Sequence, residues 1–394
     1  MPSPFRKHWT LDPAVVFLNH GSYGAVPEAV QRKQEEWRRE LEREPVRFMR
    51  AHRPRLTDAT REAAAALVGA DPQDVVLVSN ATHGVNAVLR SLRFAPGEEL
   101  LVTDHEYNAC RNALDFVAER SGARVVVAEL PFPLESPQQV VDAILAQVTD
   151  RTTLCLVDHI TSPTALRLPV EQLTPALQAR GVRVLVDGAH APGQVPVDLR
   201  AMGVDFWTGN LHKWPCAPKG CALLYVHARH RDAIRPTVIS HGANAGVSQR
   251  SRFHQEFDWE GTFDPTAWAV IPDAIACVGG MLPGGWPEVM ARNHALALEA
   301  RALLCAGLGT APVCPDEMIG TMASVQLPSD LHARLAARGV SLFGELVDRW
   351  GIEIPTIGWR APVGEMVRIS CHLHNDREDY EKLLRALLEL RKGA

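Results

Sequence analysis

The stretch 182–226, VRVLVDGAHAPGQVPVDLRAMGVDFWTGNLHKWPCAPKGCALLYV, holds an acid and an amine in positions where both can react. Asp187 closes the strongly apolar run VRVLVD. A carboxylate is costly to bury there unless it meets a positive partner. Lys213 follows in a segment flanked by His212 and Trp214, with Gly209 just upstream. Solvation is the ordinary fate of a lysine. Together, however, a strand-end aspartate and a loop lysine meet the needs of pyridoxal phosphate. The amine forms a Schiff base, and the carboxylate keeps the pyridine nitrogen protonated so that the ring acts as an electron sink.

The surrounding pattern supplies elements to position these groups. VVLV (75–78) precedes the helix-like ATHGVNAVLRSL, and ELLVTD (99–104) precedes NACRNALDFVAERSG. ARVVVAEL, TTLCLVDH and VRVLVDG continue the alternation, with helical QQVVDAILAQV and LTPALQARG between them. DFWTG and CALLYV close the series. β-branched strands separated by helices predict an α/β fold with a mostly parallel sheet covered on both faces. Such sheets bind ligands at the carboxyl ends of their strands. Beyond about residue 265 the pattern shifts to helices, among them WAVIPDAIACVGGML, and then to MASVQLP, GIEIP and MVRISCHL as strands. DREDYEKLLRALLELRK reads as a last helix, with Asn375 as N-cap and Glu378 completing a capping box. The expected organisation is an N-terminal segment (1–20) near the active site, a large cofactor-binding domain (21–279) and a smaller C-terminal α+β domain (280–394).

Composition narrows the class. The 394 residues are 46% hydrophobic and 22% charged, as in an ordinary globular protein. The net charge of −5 gives no broad attraction to nucleic acid or anionic lipid. No apolar run approaches the roughly 18 residues of a membrane span. MPSPFRKHWTLDP has no secretory h-region, and the eight scattered cysteines include no CxxC. A cytoplasmic protein with reduced thiols is expected, with no membrane or nucleic-acid partner. GxxxxGK[ST], strand-flanked GxGxxG and HExxH are absent. HLH (372–374) beside Cys371 makes a poor metal set, because strand alternation sends neighbours to opposite faces, and no metal is expected.

The chain resembles the fold-type I pyridoxal-phosphate enzymes of aminotransferase class V, in the isopenicillin N epimerase-like branch. The resemblance rests on FLNHGSYGAVP (17–27), SNATHGVNAV (79–88), TDHEYNA (103–109), DHITSPTALRLP (158–169), VDGAHAPG (186–193), TGNLHKW (208–214), EGTFD (260–264) and RIS (368–370). It spans nearly the whole chain, and the ordered set is far more specific than any one motif. It implies a large mostly parallel-sheet domain with a smaller C-terminal domain, and pyridoxal 5'-phosphate held as an imine on Lys213. It pairs Asp187 with the pyridine nitrogen and sets His190 near the ring's phenolic oxygen.

Phosphate ligands follow at Ala81 and Thr82, where a helix opens with free N–H groups. Without a ligand the same triplet is simply a capped helix. His212 matches a phosphate ligand, and Asn210 stands where the family has serine, still with a donor. Gly261-Thr262 matches a pair that reaches the phosphate from the second subunit of a homodimer; otherwise it is a plain turn.

Relatives stack a side chain on the ring within HEYN. Tyr107 is the better candidate, the histidine of many cysteine desulfurases aligning with Glu106, but His105 remains an alternative. Arg368 matches the arginine that grips a substrate carboxylate, a task for a guanidinium fork. Val367 and Ile369 are expected on the opposite face. Asn19, Gly21 and Ser22 resemble a loop that closes on substrate. Arg47, Arg50, Arg53 and Arg55 form a basic stretch, ordinarily solvated, with a second anion site as the alternative.

The activity implied is amino-acid epimerisation at Cα. C–S β-lysis of a cysteine conjugate or sulfoxide and transamination are the alternatives. Desulfuration ranks lower, since WGIEIPTIGWRAPVGEMVRIS lacks the family's nucleophilic cysteine. A non-catalytic binding protein ranks lowest, since Lys213 and Asp187 are both present.

Overall fold

The computed structural model describes residues 3–246, 248–337 and 339–392. Seven strands make the main sheet: β1 (Val75–Val78), β2 (Glu99–Thr103), β3 (Arg124–Ala128), β4 (Thr152–Asp158), β5 (Arg183–Asp187), β6 (Phe206–Asn210) and β7 (Ala222–Val226). Their spatial order is β1-β7-β6-β5-β4-β2-β3. Only β7 runs against its neighbours, so the other six deliver their carboxyl ends to one edge.

The helices that matter here are α1 (Glu28–Arg43), α2 (Arg53–Leu67), α3 (Ala81–Ser91), α4 (Asn108–Ser121), α5 (Pro137–Leu145), α6 (Val170–Gln178), α7 (Gly285–Leu308) and α8 (Arg377–Lys392). Strand alternation sorts the apolar residues into two layers. Val76, Leu100, Leu156 and Leu185 pack with Val85 and Val88 of α3 and Leu114 of α4. Val75, Leu101, Val157 and Val186 face Val140 of α5, Leu173 of α6 and Ala64 of α2. Burial on both faces explains why these strands read as continuous apolar runs.

A smaller antiparallel sheet holds β8 (Met322–Gln326), β9 (Thr356–Gly358) and β10 (Glu365–Ser370), in the order β9-β10-β8. Helices α7 and α8 pack beside it. The N-terminal segment joins this half, with Val16–Phe17 paired parallel to Ile352–Glu353. One expected helix is divided: Thr266–Ala269 and Ile271–Gly279 meet at Val270, ahead of Pro272, which has no N–H to continue the ladder.

The expected cap of the last helix also shifts by one residue. Asp376 Oδ1 accepts from the Glu378 N–H at 2.9 Å, and the Asp376 N–H donates to Asp379 Oδ2 at 3.3 Å. Asn375 is occupied elsewhere: its Nδ2 donates to the Phe17 carbonyl and its Oδ1 accepts from the His372 N–H. Tertiary partners outbid the local capping pattern. No helix among the described residues is long and apolar enough to cross a membrane.

Candidate active site

A cavity of about 880 Å³ opens at the carboxyl edge of the main sheet, beneath the small domain. Strand ends and the loops after them build its wall. Asp158 ends β4, Asp187 ends β5 and Asn210 ends β6. Glu106 and Tyr107 follow β2, and Ala81 and Thr82 open α3 directly after β1. His190, His212 and Lys213 complete the large-domain side, and Arg368 of β10 and Ser22 close the other.

Lys213 is buried, and its Nζ lies 3.0 Å from His190 Nε2. Burial, then the nearby positive charge of Arg368, draws its amine down from 10.5 to about 7. About half the amine is therefore neutral near neutrality, as a nucleophile or base requires. His190 is pushed well below the usual imidazole value, mainly by burial and then by Lys213, so it is neutral and accepts from the amine.

Asp187 is buried at the pocket floor, and burial pushes its carboxyl above the ordinary value. Two donors favour the carboxylate: the Ala189 N–H reaches Oδ1 at 2.9 Å and the Cys110 thiol reaches Oδ2 at 3.1 Å. Glu106 and Asp158, absent from the expected set, lie beside it and interact with each other. Burial and neighbouring negative charge hold both far above the ordinary carboxyl range, so this pair keeps a proton. The signal for Asp158 was present in the sequence, because LCLVDH and VLVDGAH end alike on adjacent strands, in register at Asp158 and Asp187.

At the far end, Asn80 caps α3 by accepting from the His83 N–H at 2.8 Å. Asn210 Oδ1 accepts from the Ala81 N–H at 2.9 Å, which leaves its amide donors for another acceptor. His212 Nδ1 lies 3.3 Å from the Cys221 carbonyl. Lys219 also lines this region and donates to the Gly24 carbonyl at 3.1 Å. A helix N-terminus with donors around it suits a phosphate. A depressed amine, a strand-end carboxylate and this cradle share one cavity, so the residues present fit pyridoxal phosphate. Thr82, Asn210 and His212 would take its phosphate, Asp187 its ring nitrogen and Lys213 its aldehyde carbon; the Ala81 N–H, expected among the phosphate ligands, is spent here on Asn210 Oδ1.

Arg368 is buried beside Ser22, Ser162 and Pro163, and burial draws its guanidinium down to about 10. Nη2 donates to Ser22 Oγ at 3.2 Å, and Nη1 donates to the Ser162 carbonyl and, at 3.3 Å, to Ser162 Oγ. Nε is buried without a protein partner, so the protein does not satisfy every donor of the fork. Val367 and Ile369 turn into the core. Asn19 does not line the cavity; it accepts from Ser22 Oγ at 2.5 Å and acts through that serine. A Cβ at Gly21 would lie 2.5 Å from Met322 Sδ and 3.0 Å from Ser370 Oγ, so any larger residue there would displace the buried Met322 side chain.

Other expected residues fall apart spatially. Tyr107 lines the same cavity as Arg368, with its side chain exposed. His105 is fully buried away from the cavity, between Phe132 and Trp359, with Nδ1 2.7 Å from Thr164 Oγ1. Thr262 is exposed and lies outside the cavity of its own chain. Arg47, Arg50, Arg53 and Arg55 also lie outside it. Arg53 packs on Trp259 and donates to the Asp258 carbonyl, and Arg47 pairs with Glu44.

His372 and His374 do not diverge as strand alternation predicted. The strand ends at Ser370, and both rings converge on His20, while Cys371 accepts a hydrogen bond from Tyr380. No local pattern links His20 to them.

Comparison with known proteins identifies the family and the fold. The chain is 33% identical to the isopenicillin N epimerase of Streptomyces clavuligerus, over 97% of this chain and 96% of the relative. It is equally 33% identical to the putative L-cysteine desulfhydrase 2 of Oryza sativa subsp. japonica, over 96% and 85%. The solved cystine C–S lyase C-DES, in complex with cysteine persulfide, superposes with a TM-score of 0.78 at 22% identity, covering 95% of this chain and 97% of that one. Residues 18–383 match Aminotransferase class-V. The chain is therefore a member of the aminotransferase class-V family of enzymes.

Proposed function

We propose that this enzyme uses pyridoxal phosphate to move the α-proton of an amino acid or peptide-like amine, as an epimerase of the isopenicillin N epimerase type. The observation that carries the reading is one cavity that sets Lys213 and Arg368 around the same space, with the Tyr107 phenol beside them. The bound cofactor supplies an electron sink for the bonds at the substrate's Cα. Arg368 takes the α-carboxylate through its fork, and Ser22 and the Ser162 carbonyl hold that fork in orientation. Lys213, half neutral near pH 7, removes the proton from one face. Tyr107 returns a proton from the other, which inverts the centre. Asp187 would pair with the ring nitrogen, its carboxylate form favoured by the Ala189 and Cys110 donors.

C–S β-elimination is the second reading, and the equal identity to a desulfhydrase favours it. In that case Tyr107 would protonate departing sulfur. Transamination shares the first proton transfer. No cysteine lines the cavity among the described residues, which counts against persulfide-forming desulfuration. A panel of amino acids, cysteine conjugates and small peptides tests the reading. Inverted substrate with α-deuterium from deuterium oxide supports epimerisation. Pyruvate with released thiol supports elimination, a keto acid supports transamination, and substrate returned with its α-hydrogen intact sinks all three.

The same reading includes a two-fold dimer in which Thr262 reaches the neighbouring phosphate. Its exposed position outside its own chain's cavity supports this. Sedimentation should show a dimer whose dissociation weakens cofactor binding, and a fully active monomer would rule it out.

A further inference from the structure

We propose that His20 and His372 are positioning residues for Lys213, gripping two consecutive main-chain carbonyls beneath the reactive amine. This rests on the reading of Lys213 as the cofactor-binding lysine. His20 Nε2 lies 3.0 Å from the Lys213 carbonyl oxygen, and His372 Nε2 lies 3.1 Å from that of Trp214. The Lys213 oxygen also accepts from the Cys216 N–H at 2.9 Å, closing the turn that presents the side chain. His20, His372 and His374 are all buried.

The tautomers follow from the acceptors. A carbonyl oxygen only accepts, so Nε2 of both His20 and His372 carries hydrogen, and the Cys216 thiol, 3.7 and 3.5 Å from those nitrogens, donates instead to the Trp214 carbonyl at 3.4 Å. His20 Nδ1 is then bare and accepts from His374 Nε2, 3.1 Å away. The remaining atoms, Nδ1 of His372 and Nδ1 of His374, have no protein partner, as neutral Nε2–H rings allow. Burial holds all three well below the usual imidazole value, His372 at about 4. A proton on His20 Nδ1 would face the His374 Nε2–H head on.

A metal site is the rival use of three converging histidines. The His20 and His372 rings stack with centroids 4.3 Å apart and planes only 20° from parallel. In-plane lone pairs of stacked rings cannot meet at one ion. The nitrogens nearest the Lys213 turn are also spent on carbonyls.

The grip links three distant parts of the chain. His20 shares its helical turn, His20–Tyr23, with Ser22, which holds Arg368. The Gly21 N–H donates to Ser370 Oγ at 3.1 Å, and His372 follows shortly after Arg368. Lys213 and the carboxylate-binding arginine therefore share one rigid support, across the two halves of the molecule.

The first test uses the wild-type protein, so folding of a variant is not at issue. Nitrogen-15 spectra of the imidazoles, with and without pyridoxal phosphate, should show His20 and His372 as neutral Nε2–H tautomers down to about pH 5. Either ring as the Nδ1–H tautomer, or titrating near 6.5, overturns the grip. The second test measures the rate at which the apoenzyme forms a borohydride-fixed pyridoxal phosphate adduct at Lys213. His20→Leu and His372→Leu should slow it about 10- to 100-fold, the scale of a small misplacement of a reacting group. His20→Gln and His372→Gln retain a donor and should restore most of the rate. Leucine variants that load like wild type overturn the proposal. Wild-type protein that forms no adduct at Lys213 refutes the lysine's role instead, and the tautomer spectra still decide the grip.

Discussion

Replacing Lys213 by methionine should stabilise the cofactor-free protein, and by an amount that depends on pH. Burial and Arg368 together take the amine from 10.5 to about 7 in the folded state. Below 10.5 the unfolded chain therefore binds this proton more tightly than the folded one. The folded state pays nothing above that pH, progressively more as pH falls, and a constant penalty below about 7. Linkage sets the penalty at about 4 kcal/mol at pH 7 and about 2 kcal/mol at pH 9. Methionine has a similar length and no charge. It loses the contact with His190, worth about 1 kcal/mol. The net gain is about 3 kcal/mol at pH 7 and about 1 kcal/mol at pH 9. Urea unfolding of cofactor-stripped wild type and Lys213→Met at pH 7, 8 and 9 measures it directly. A gap that does not change with pH, or a variant less stable at pH 7, would refute a strained, half-neutral lysine.

Arg368→Lys should raise KM for the true substrate roughly 10- to 150-fold, the equivalent of losing one charge-assisted fork contact, and steady-state kinetics will show whether it does. Asp187→Asn should leave the apoprotein at least as stable, because burial already penalises the charge, while kcat falls by about 100-fold or more; unchanged turnover would remove Asp187 from the cofactor's ring nitrogen. Stability should fall on acidification: His372 at about 4 costs the folded state about 2 kcal/mol at pH 5 relative to pH 8, since the unfolded chain takes up that proton first. His159, also near 4, adds to the same trend, and urea midpoints at pH 8, 6 and 5 that coincide would contradict both. Tyr107→Phe should keep α-hydrogen exchange through Lys213 yet lose inversion or elimination by about 100-fold or more, measured as deuterium incorporation against product formed.

Sequence order alone carried the parallel sheet and the floor of the site. Apolar β-branched runs can be buried on both faces only in a covered sheet, and an aspartate or asparagine at the end of such a run must lie at its carboxyl edge. Asp187 was legible for that reason, with Lys213 on a loop downstream of it, whereas Asn210 and Arg368 came from the resemblance to class-V enzymes, Arg368 helped by its alternation with Val367 and Ile369. Everything set by contacts between distant segments required the tertiary structure. HEYN offers two rings in three residues, and only packing against Phe132 and Trp359 turns His105 inward and leaves Tyr107 at the cavity. Asn375 has the form of a helix cap, but the Phe17 carbonyl, far away in the chain, claims its amide. His20, His372 and His374 share no periodicity, because their meeting depends on the N-terminal turn docking against the strand that carries Arg368. Glu106 and Asp158 become a pair only because the sheet sets both against Asp187, where burial and mutual repulsion raise both carboxyls. Local chemistry specifies which groups can react, and the long-range fold decides which of them face the same space and in which protonation state.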